Sequence, residues 1–354
     1  MEGGAGLKKA ILITGGCGFI GSNFIHHMRS THPELELMNL DKLSYSGNLK
    51  NLKALEDDSY YRFVRGDITD EHLVRSLFQT NNIQAVVHFA AESHVDRSIL
   101  EARAFVQSNI VGTQVLLEAA RQYWTDTLSK DPSFRFVHIS TDEIYGTLGE
   151  EGSFSEESPF CPNSPYAATK AAADLLVRAY FETYGLPTLI VRPSNNYGPY
   201  QFPEKFIPLM ITNLIEDMPV PIYGKGLNVR DWIFVTDACQ AVDLIMDQGK
   251  PGEAYNVGGE TEKLNIDVAR EVLPLFGKEE SYLTFVEDRP GHDLRYALDN
   301  NKIKSELDWS PTVAFKEGIE QTVAWYKANE SWWRPLKEKL TKESKGFWSP
   351  QSGQ

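Results

Sequence analysis

The chain is poor in cysteine and in positive charge. Its 354 residues include three cysteines, Cys17, Cys161 and Cys239. They are too few for a disulfide framework, and neither they nor the scattered histidines show the paired spacing of a zinc site. Lys and Arg number 35 against 49 Asp and Glu, and this net charge of −14 argues against nucleic acid or an anionic membrane as a partner. We therefore expect a metal-free protein of the reducing cytoplasm.

Long apolar runs and internal repeats are also missing. No stretch approaches the roughly 20 apolar residues that span a bilayer, and residues 1–9 lack the apolar core of a signal peptide. What the chain has is 42% apolar residues, enough for a large core, and strand and helix patterns that alternate through about residue 200. This alternation predicts an α/β fold with a doubly wound parallel sheet of the Rossmann type and a smaller C-terminal lobe.

The predicted organisation has three parts. Residues 1–195 form mainly a dinucleotide-binding domain, to which the chain returns near 228–258, with residues 231–237 leading back to its sheet. Residues 196–340 form mainly the smaller lobe, and the polar residues 341–354 form a flexible tail.

A glycine-rich turn follows the first predicted strand, residues 10–14. Gly15, Gly18 and Gly21 give the spacing Gly-x-x-Gly-x-x-Gly, which permits a tight turn, close approach of a pyrophosphate and close packing of helix on strand. A second strand ends in Asp41, twenty residues beyond Gly21, where a carboxylate binds the adenosine ribose. Asp41 would repel a 2′-phosphate, so the pattern favours NAD, although Lys42 beside it leaves NADP open.

Two segments carry candidate chemistry. Tyr166 and Lys170 lie four apart, so on a helix they share one face, where the ammonium group favours the phenolate that removes a proton. Thr141, Asp142 and Glu143 follow a predicted strand at 134–139, at the strand end where parallel sheets place their ligand crevice. A redox pair beside two carboxyl groups predicts oxidation coupled to elimination.

These motifs occur in the order found in one known family. Residues 14–21, 41–48, 90–98, 140–146, 166–170, 194–200 and 288–293 resemble the extended short-chain dehydrogenase/reductases, and within them most closely the dTDP-glucose 4,6-dehydratases. The resemblance covers roughly residues 9–327. It implies NAD as cofactor, a nucleotide-diphosphate-glucose as substrate, and a homodimer that packs through the helix bearing Tyr166 and the helix that begins near Arg103.

The resemblance also implies two sets of binding residues. The cofactor set is Gly15, Gly18, Phe19, Ile20, Gly21, Asp41, Lys42, Ser44, Gly47, Asn48, Asp67, Ile68, Phe89, Ala90, Ala91, Ser93, Ser108, Tyr166, Lys170 and Asn196. The substrate set is Ser93, Thr141, Asn195, Lys205, Phe206, Pro221, Ile222, Tyr223, Arg230, Asn265, Asp288, Arg289, His292 and Tyr296. The two arginines have the clearest physical case, because guanidinium groups match phosphate oxygens.

The family chemistry assigns a role to each catalytic candidate. Tyr166, assisted by Thr141 and Lys170, removes the proton of the glucosyl 4-hydroxyl while hydride leaves C4 for NAD. The 4-ketone acidifies C5, Glu143 takes the C5 proton, and Asp142 protonates the departing 6-hydroxyl. Hydride then returns to C6, which leaves a nucleotide-linked 4-keto-6-deoxyglucose.

Several alternatives remain at this stage. Sugar-nucleotide 4-epimerases need the Tyr-Lys pair but no second acid/base couple, and GDP-mannose dehydratases are expected to carry Ser-Glu in place of Thr141, Asp142 and Glu143. A UDP- or CDP-glucose 4,6-dehydratase would use the same chemistry and stays open. A non-catalytic NAD-binding module is the alternative of another class. The loop at 147–165 precedes Tyr166 and could cover the site.

Overall fold

The computed structural model describes residues 9–343, so the glycine-rich start and residues 344–354 of the expected tail lie outside the described residues. The strands are β1 (Lys9–Thr14), β2 (Glu36–Asp41), β3 (Tyr61–Arg65), β4 (Asn82–His88), β5 (Arg135–Ile139), β6 (Thr188–Pro193), β7 (Asn195–Tyr197), β8 (Val220–Tyr223), β9 (Val229–Phe234), β10 (Ala254–Val257), β11 (Glu262–Leu264) and β12 (Leu283–Val286).

Helices alternate with these strands. They are α1 (Phe19–Thr31), α2 (Glu71–Thr80), α3 (Val95–Leu100), α4 (Arg103–Phe105), α5 (Thr113–Asp126), α6 (Pro165–Tyr184), α7 (Phe206–Ile215), α8 (Val235–Gln248), α9 (Asn265–Val272), α10 (Asn301–Leu307), α11 (Phe315–Ala328) and α12 (Glu330–Glu343). A π-helix, Val106–Gly112, joins α4 to α5. Short 3-10 segments cover Leu49–Leu55, Asp142–Tyr145, Leu273–Phe276 and Glu280–Tyr282.

The main sheet is parallel and has seven strands in the order β10-β6-β5-β4-β1-β2-β3. Side chains of a strand point alternately to the two faces. Ile11 and Ile13 accordingly pack in the core beneath α1 and α8, whereas Leu12 packs in the core beneath α2, α5 and α6. Both faces are covered by helices, which confirms the predicted doubly wound α/β fold.

The smaller lobe contains a three-stranded sheet, β11-β9-β7, and a two-stranded sheet, β12-β8. Its core joins α7, α9, α11 and α12 and is rich in aromatic side chains. The predicted return of residues 231–237 to the main sheet is wrong for β9, because that strand pairs with β7 and β11. The return is made by α8, which packs on α1, and by β10, which pairs with β6.

The alternation of β9 explains this error. Trp232 and Phe234 lie in the core of the smaller lobe, whereas Ile233 between them lies in the core of the main domain. An apolar alternation identifies a strand but not the sheet it joins. The strand order reverses between β1 and β4, and the crevice at the carboxyl ends of these two strands is where open α/β sheets bind their ligands.

Candidate active site

The glycine-rich turn passes very close to the loop after β4. Gly15 has φ +73, and a Cβ atom there would lie 2.5 Å from the Ala90 backbone nitrogen. A Cβ atom on Gly21 would lie 2.5 Å from the Gly15 carbonyl oxygen. Helix α1 then begins at Phe19, and Gly18 at its N-cap supplies no side-chain hydrogen bond. The backbone amides at this helix end are therefore open to a phosphate group, whose charge the helix dipole favours.

Asp41 closes the back of this turn. Its carboxylate accepts hydrogen bonds from the Cys17 amide at 2.9 Å and from the Leu43 amide at 2.7 Å. Burial is the main cause of the raised pKa of Asp41. The Lys42 ammonium lies 3.3 Å from Glu92 and 3.7 Å from Asp67, so two carboxylates engage the cation that could have favoured a 2′-phosphate. These contacts fit NAD.

One cleft brings most of the predicted cofactor residues together. Its lining includes Gly15, Gly18, Phe19, Ile20, Gly21, Asp41, Lys42, Ser44, Gly47, Ile68, Phe89, Ala90, Ala91, Ser93, Ser108, Tyr166 and Lys170. Asn48, Asp67 and Asn196 do not line it. Asn48 caps the 3-10 segment at Leu49–Leu55, Asp67 accepts the Thr69 amide, and Asn196 donates to the Ser194 carbonyl.

Tyr45, Gln201 and Phe202 also line this cleft, although they were not predicted. The ring of Tyr45 meets that of Phe202 at 5.6 Å, and the Arg97 guanidinium lies 4.0 Å from the centroid of the Tyr45 ring. Tyr45 lay inside a recognised motif, which was the available signal. Gln201 and Phe202 come from the start of the smaller lobe, and no local pattern places them beside the cofactor turn.

The five catalytic candidates meet at the carboxyl end of β5. Thr141 is the N-cap of the 3-10 turn Asp142–Tyr145; its hydroxyl donates to Asp142 Oδ1 at 3.2 Å and accepts the Glu143 amide at 3.3 Å. Helix α6 begins at Pro165 and so presents Tyr166 in its first turn. The Lys170 ammonium donates to the Ile139 carbonyl at 2.6 Å.

Burial sets the protonation of these groups. The pKa of Asp142 is raised well above its ordinary range, first by burial and then by the charges of Glu143 and Asp231. This raised pKa favours the protonated form of the carboxyl group, which can donate a proton. Burial also raises the pKa of Tyr166 and lowers that of Lys170 to about 8.

Three cations surround Glu143. Burial raises the pKa of its carboxyl group, and Arg289, Arg230 and Lys205 oppose the shift in that order. The Lys205 ammonium donates to the Ser93 carbonyl at 3.2 Å, and Arg289 Nη1 donates to Asp96 Oδ1 at 3.1 Å. These guanidinium and ammonium donors suit a diphosphate.

The other substrate candidates come from separate segments of the smaller lobe. Tyr223 donates to Asp96 at 3.3 Å, its ring lies 5.8 Å from that of His292, and His292 Nδ1 lies 2.6 Å from Asp288. Tyr296 contacts Asp293 and lies 4.4 Å beneath the Arg230 guanidinium.

The remaining substrate candidates are three apolar residues and two asparagines. Phe206 packs on Trp232, Pro221 lies on β8, and Ile222 is buried in the core of the smaller lobe. Asn195 and Asn265 each have a buried side-chain oxygen with no hydrogen-bond partner among the described residues.

The loop at 147–165 is anchored to the smaller lobe. The Leu148 amide donates to the Arg295 carbonyl at 3.0 Å, and the Phe154 amide donates to the Ala297 carbonyl at 2.8 Å. Within residues 9–343, no group of His, Cys, Asp and Glu side chains is arranged to hold a metal ion. No helix in the same range has the length and apolar character needed to cross a bilayer.

The fold and the site define a dinucleotide-binding enzyme of the extended short-chain dehydrogenase/reductase class. A family model described as GDP-mannose 4,6 dehydratase matches residues 12–322, and the chain belongs to this family. Relatives within the family include dTDP-glucose 4,6-dehydratases. That of Xanthomonas campestris is 50% identical over 333 residues, covering 91% of this chain and 94% of the relative, and that of Streptomyces niveus is 51% identical over 331 residues, covering 92% and 95%.

Solved structures of related enzymes are similar to this chain over nearly their whole length. The dTDP-glucose 4,6-dehydratase DesIV of Streptomyces venezuelae, crystallised with NAD, superposes with a TM-score of 0.87 at 46% identity, covering 92% of this chain and 99% of that one. A UDP-glucose 4-epimerase of Thermotoga maritima gives 0.81 at 28% identity, covering 91% and 99%. The resemblance inferred from the motifs is confirmed.

Proposed function

We propose that this protein is an NAD-dependent dTDP-glucose 4,6-dehydratase that forms dTDP-4-keto-6-deoxyglucose and water. The observation that carries the proposal is the position of Asp142 and Glu143 beside Thr141, Tyr166 and Lys170. An epimerase needs only Thr141, Tyr166 and Lys170, whereas loss of water needs an additional acid and base. The relatives at about 50% identity support the same activity.

Each side chain has one task. Tyr166 takes the proton of the 4-hydroxyl, and Thr141 holds that hydroxyl. Bound NAD accepts the hydride from C4 and later supplies it to C6. Glu143 removes the C5 proton once C4 is a ketone, and Asp142, whose pKa is raised by burial, donates a proton to the leaving 6-hydroxyl. Lys170 stabilises the developing phenolate.

We assign the cofactor to the domain of residues 1–195 with α8 and β10, and the nucleotide sugar mainly to residues 196–340. Arg230, Arg289 and Lys205 hold the diphosphate in this assignment, because their charges converge on the cleft beside Glu143. A UDP- or CDP-glucose dehydratase would keep this site and differ in contacts to the base. The name of the relatives favours dTDP.

The test is turnover of dTDP-glucose against UDP-glucose, CDP-glucose and GDP-mannose, with detection of the 4-keto product and of solvent deuterium at C5. Fast conversion of dTDP-glucose with deuterium at C5 supports the proposal. Preference for another nucleotide keeps the chemistry and changes the substrate. No turnover on any of them would favour a non-catalytic NAD-binding module.

We also propose a cytoplasmic homodimer. Leu100, Val106 and Leu175 are large apolar side chains that are 70%, 44% and 57% exposed on α3, the π-helix and α6, and α6 packs against each of the other two. A second copy would cover this apolar surface.

Analytical ultracentrifugation tests the oligomeric state, and Leu175→Glu should yield monomers. A monomeric parent protein would contradict the proposal. The three free cysteines suit a reducing compartment.

A further inference from the structure

A buried hydrogen bond joins α12, the last helix among the described residues, to the cofactor domain. Trp332 lies on α12 and packs in the core of the smaller lobe. Its indole Nε1 donates to Asn51 Oδ1 at 2.8 Å, across 281 positions of sequence. Asn51 belongs to the 3-10 segment Leu49–Leu55, which follows β2, and both side chains are buried. The smaller lobe therefore reaches into the domain that carries the glycine-rich turn.

Asn51 also forms a hydrogen bond with the glycine-rich turn. Its Nδ2 donates to the Cys17 carbonyl oxygen at 3.0 Å, and the Asn48 amide donates to the same oxygen at 2.9 Å. The Cys17 amide is held by Asp41. Cys17 lies in the middle of the turn and is fully buried, and neither it nor Asn51 lines the cleft. The Cys17 carbonyl is thus held by residues that do not line the cleft, and its amide is held by Asp41, which does.

A second contact from these two helices reaches a residue that lines the cleft. The Tyr326 hydroxyl on α11 donates to the Gln201 carbonyl, and Gln201 lines the cleft. Tyr200, beside it, has a left-handed backbone with φ +66, and its ring packs against Trp325 at 4.8 Å and Trp332 at 6.0 Å. A non-glycine residue in this conformation persists only where its surroundings hold it. Helix α12 therefore contacts Asn51, which holds the glycine-rich turn, and helix α11 contacts Gln201, which lines the same cleft.

We propose that α11 and α12 form a clamp that retains NAD, in which Trp332 and Asn51 are positioning residues for the glycine-rich turn. The inference rests on NAD being the cofactor of the proposed function. A turn already held in its binding conformation loses less conformational freedom when the pyrophosphate binds, which strengthens binding. A cofactor that ends the reaction in its starting redox state need not leave, so slow release is compatible with turnover.

The test measures how fast the purified holoprotein releases NAD into a coupled assay with an auxiliary NAD-dependent dehydrogenase. Trp332→Phe keeps one aromatic ring and removes the pyrrole ring with its N–H donor, and we expect NAD to leave about five- to tenfold faster. Asn51→Asp keeps the acceptor for Trp332 but cannot donate to Cys17, so it should change release in the same direction.

Trp124→Phe is the matched control. Trp124 is as buried as Trp332, and its Nε1 donates to the Asp131 carbonyl at 2.8 Å on the other face of the sheet. Its release rate should match that of the parent protein even if its melting temperature falls. If Trp332→Phe releases NAD no faster than Trp124→Phe does, the proposed clamp is wrong. If Trp332→Phe does not fold, parent-like release from Asn51→Asp shows the same. Sugar turnover is not measured, so a failure here is separate from a failure of the proposed function.

Discussion

Asp142→Asn should separate the removal of the C5 proton from the loss of water. Asp142 is 2% exposed, and burial, followed by the neighbouring charges of Glu143 and Asp231, raises the pKa of its carboxyl group. Asparagine has the same shape and still accepts the hydrogen bond from Thr141, so the free energy of unfolding should change by less than about 1 kcal/mol. What is lost is the proton for the departing 6-hydroxyl.

General acid catalysis typically accounts for a factor of about 10²–10⁴ in rate, which corresponds to about 3–5 kcal/mol in the barrier. Formation of the 4-keto product should slow by this factor. Oxidation at C4 and removal of the C5 proton do not need Asp142. The recovered substrate should therefore gain deuterium at C5 in deuterated water, as measured by mass spectrometry of dTDP-glucose after incubation.

The matched variant is Glu143→Gln, which removes the proposed base and keeps the acid. It should lose C5 exchange together with elimination, while reduced nicotinamide accumulates on the protein because C4 oxidation still proceeds. Wild-type dehydration by folded Asp142→Asn would refute the assignment of the acid. Loss of C5 exchange in Asp142→Asn as well would show that the two carboxyl groups do not divide the work in this way.

Three further predictions concern the redox pair and the cofactor turn. Tyr166→Phe should form neither reduced nicotinamide nor deuterated substrate, because the first proton cannot be removed; ordinary reduction of the cofactor, read by absorbance, would exclude Tyr166 as the base. Burial lowers the pKa of Lys170 to about 8, so its ammonium is present below that pH and is lost above it. The kcat/KM profile should accordingly fall as pH rises through about 8, Lys170→Arg should move this limb to higher pH, and an unchanged limb in the variant would contradict the assignment. Gly15→Ala places a Cβ atom 2.5 Å from a backbone nitrogen at φ +73, so it should lower the free energy of unfolding by about 2–5 kcal/mol in urea titrations and weaken NAD binding, whereas parent-like stability would show that the β4 loop can yield.

Local sequence was enough for the first half of the fold and for the motifs of the site. The strand pattern predicted the parallel sheet, and fixed spacing predicted the glycine turn, Asp41 and the pair of Tyr166 with Lys170, because turn geometry and helical periodicity act within a few residues. The smaller lobe was predicted less well. The alternation in β9 serves two cores at once, so the same pattern fits either sheet.

The amino-acid sequence by itself determined the class of fold, a preference for NAD and the chemical groups available for oxidation and elimination, since each follows from residues close together in the chain. Only the tertiary structure decided which groups meet. Burial of Asp142, the convergence of Arg230, Arg289 and Lys205 on Glu143, and the contact of Trp332 with Asn51 all join segments far apart in sequence. Desolvation and long-range contact depend on how separate elements pack, and no local pattern encodes that packing.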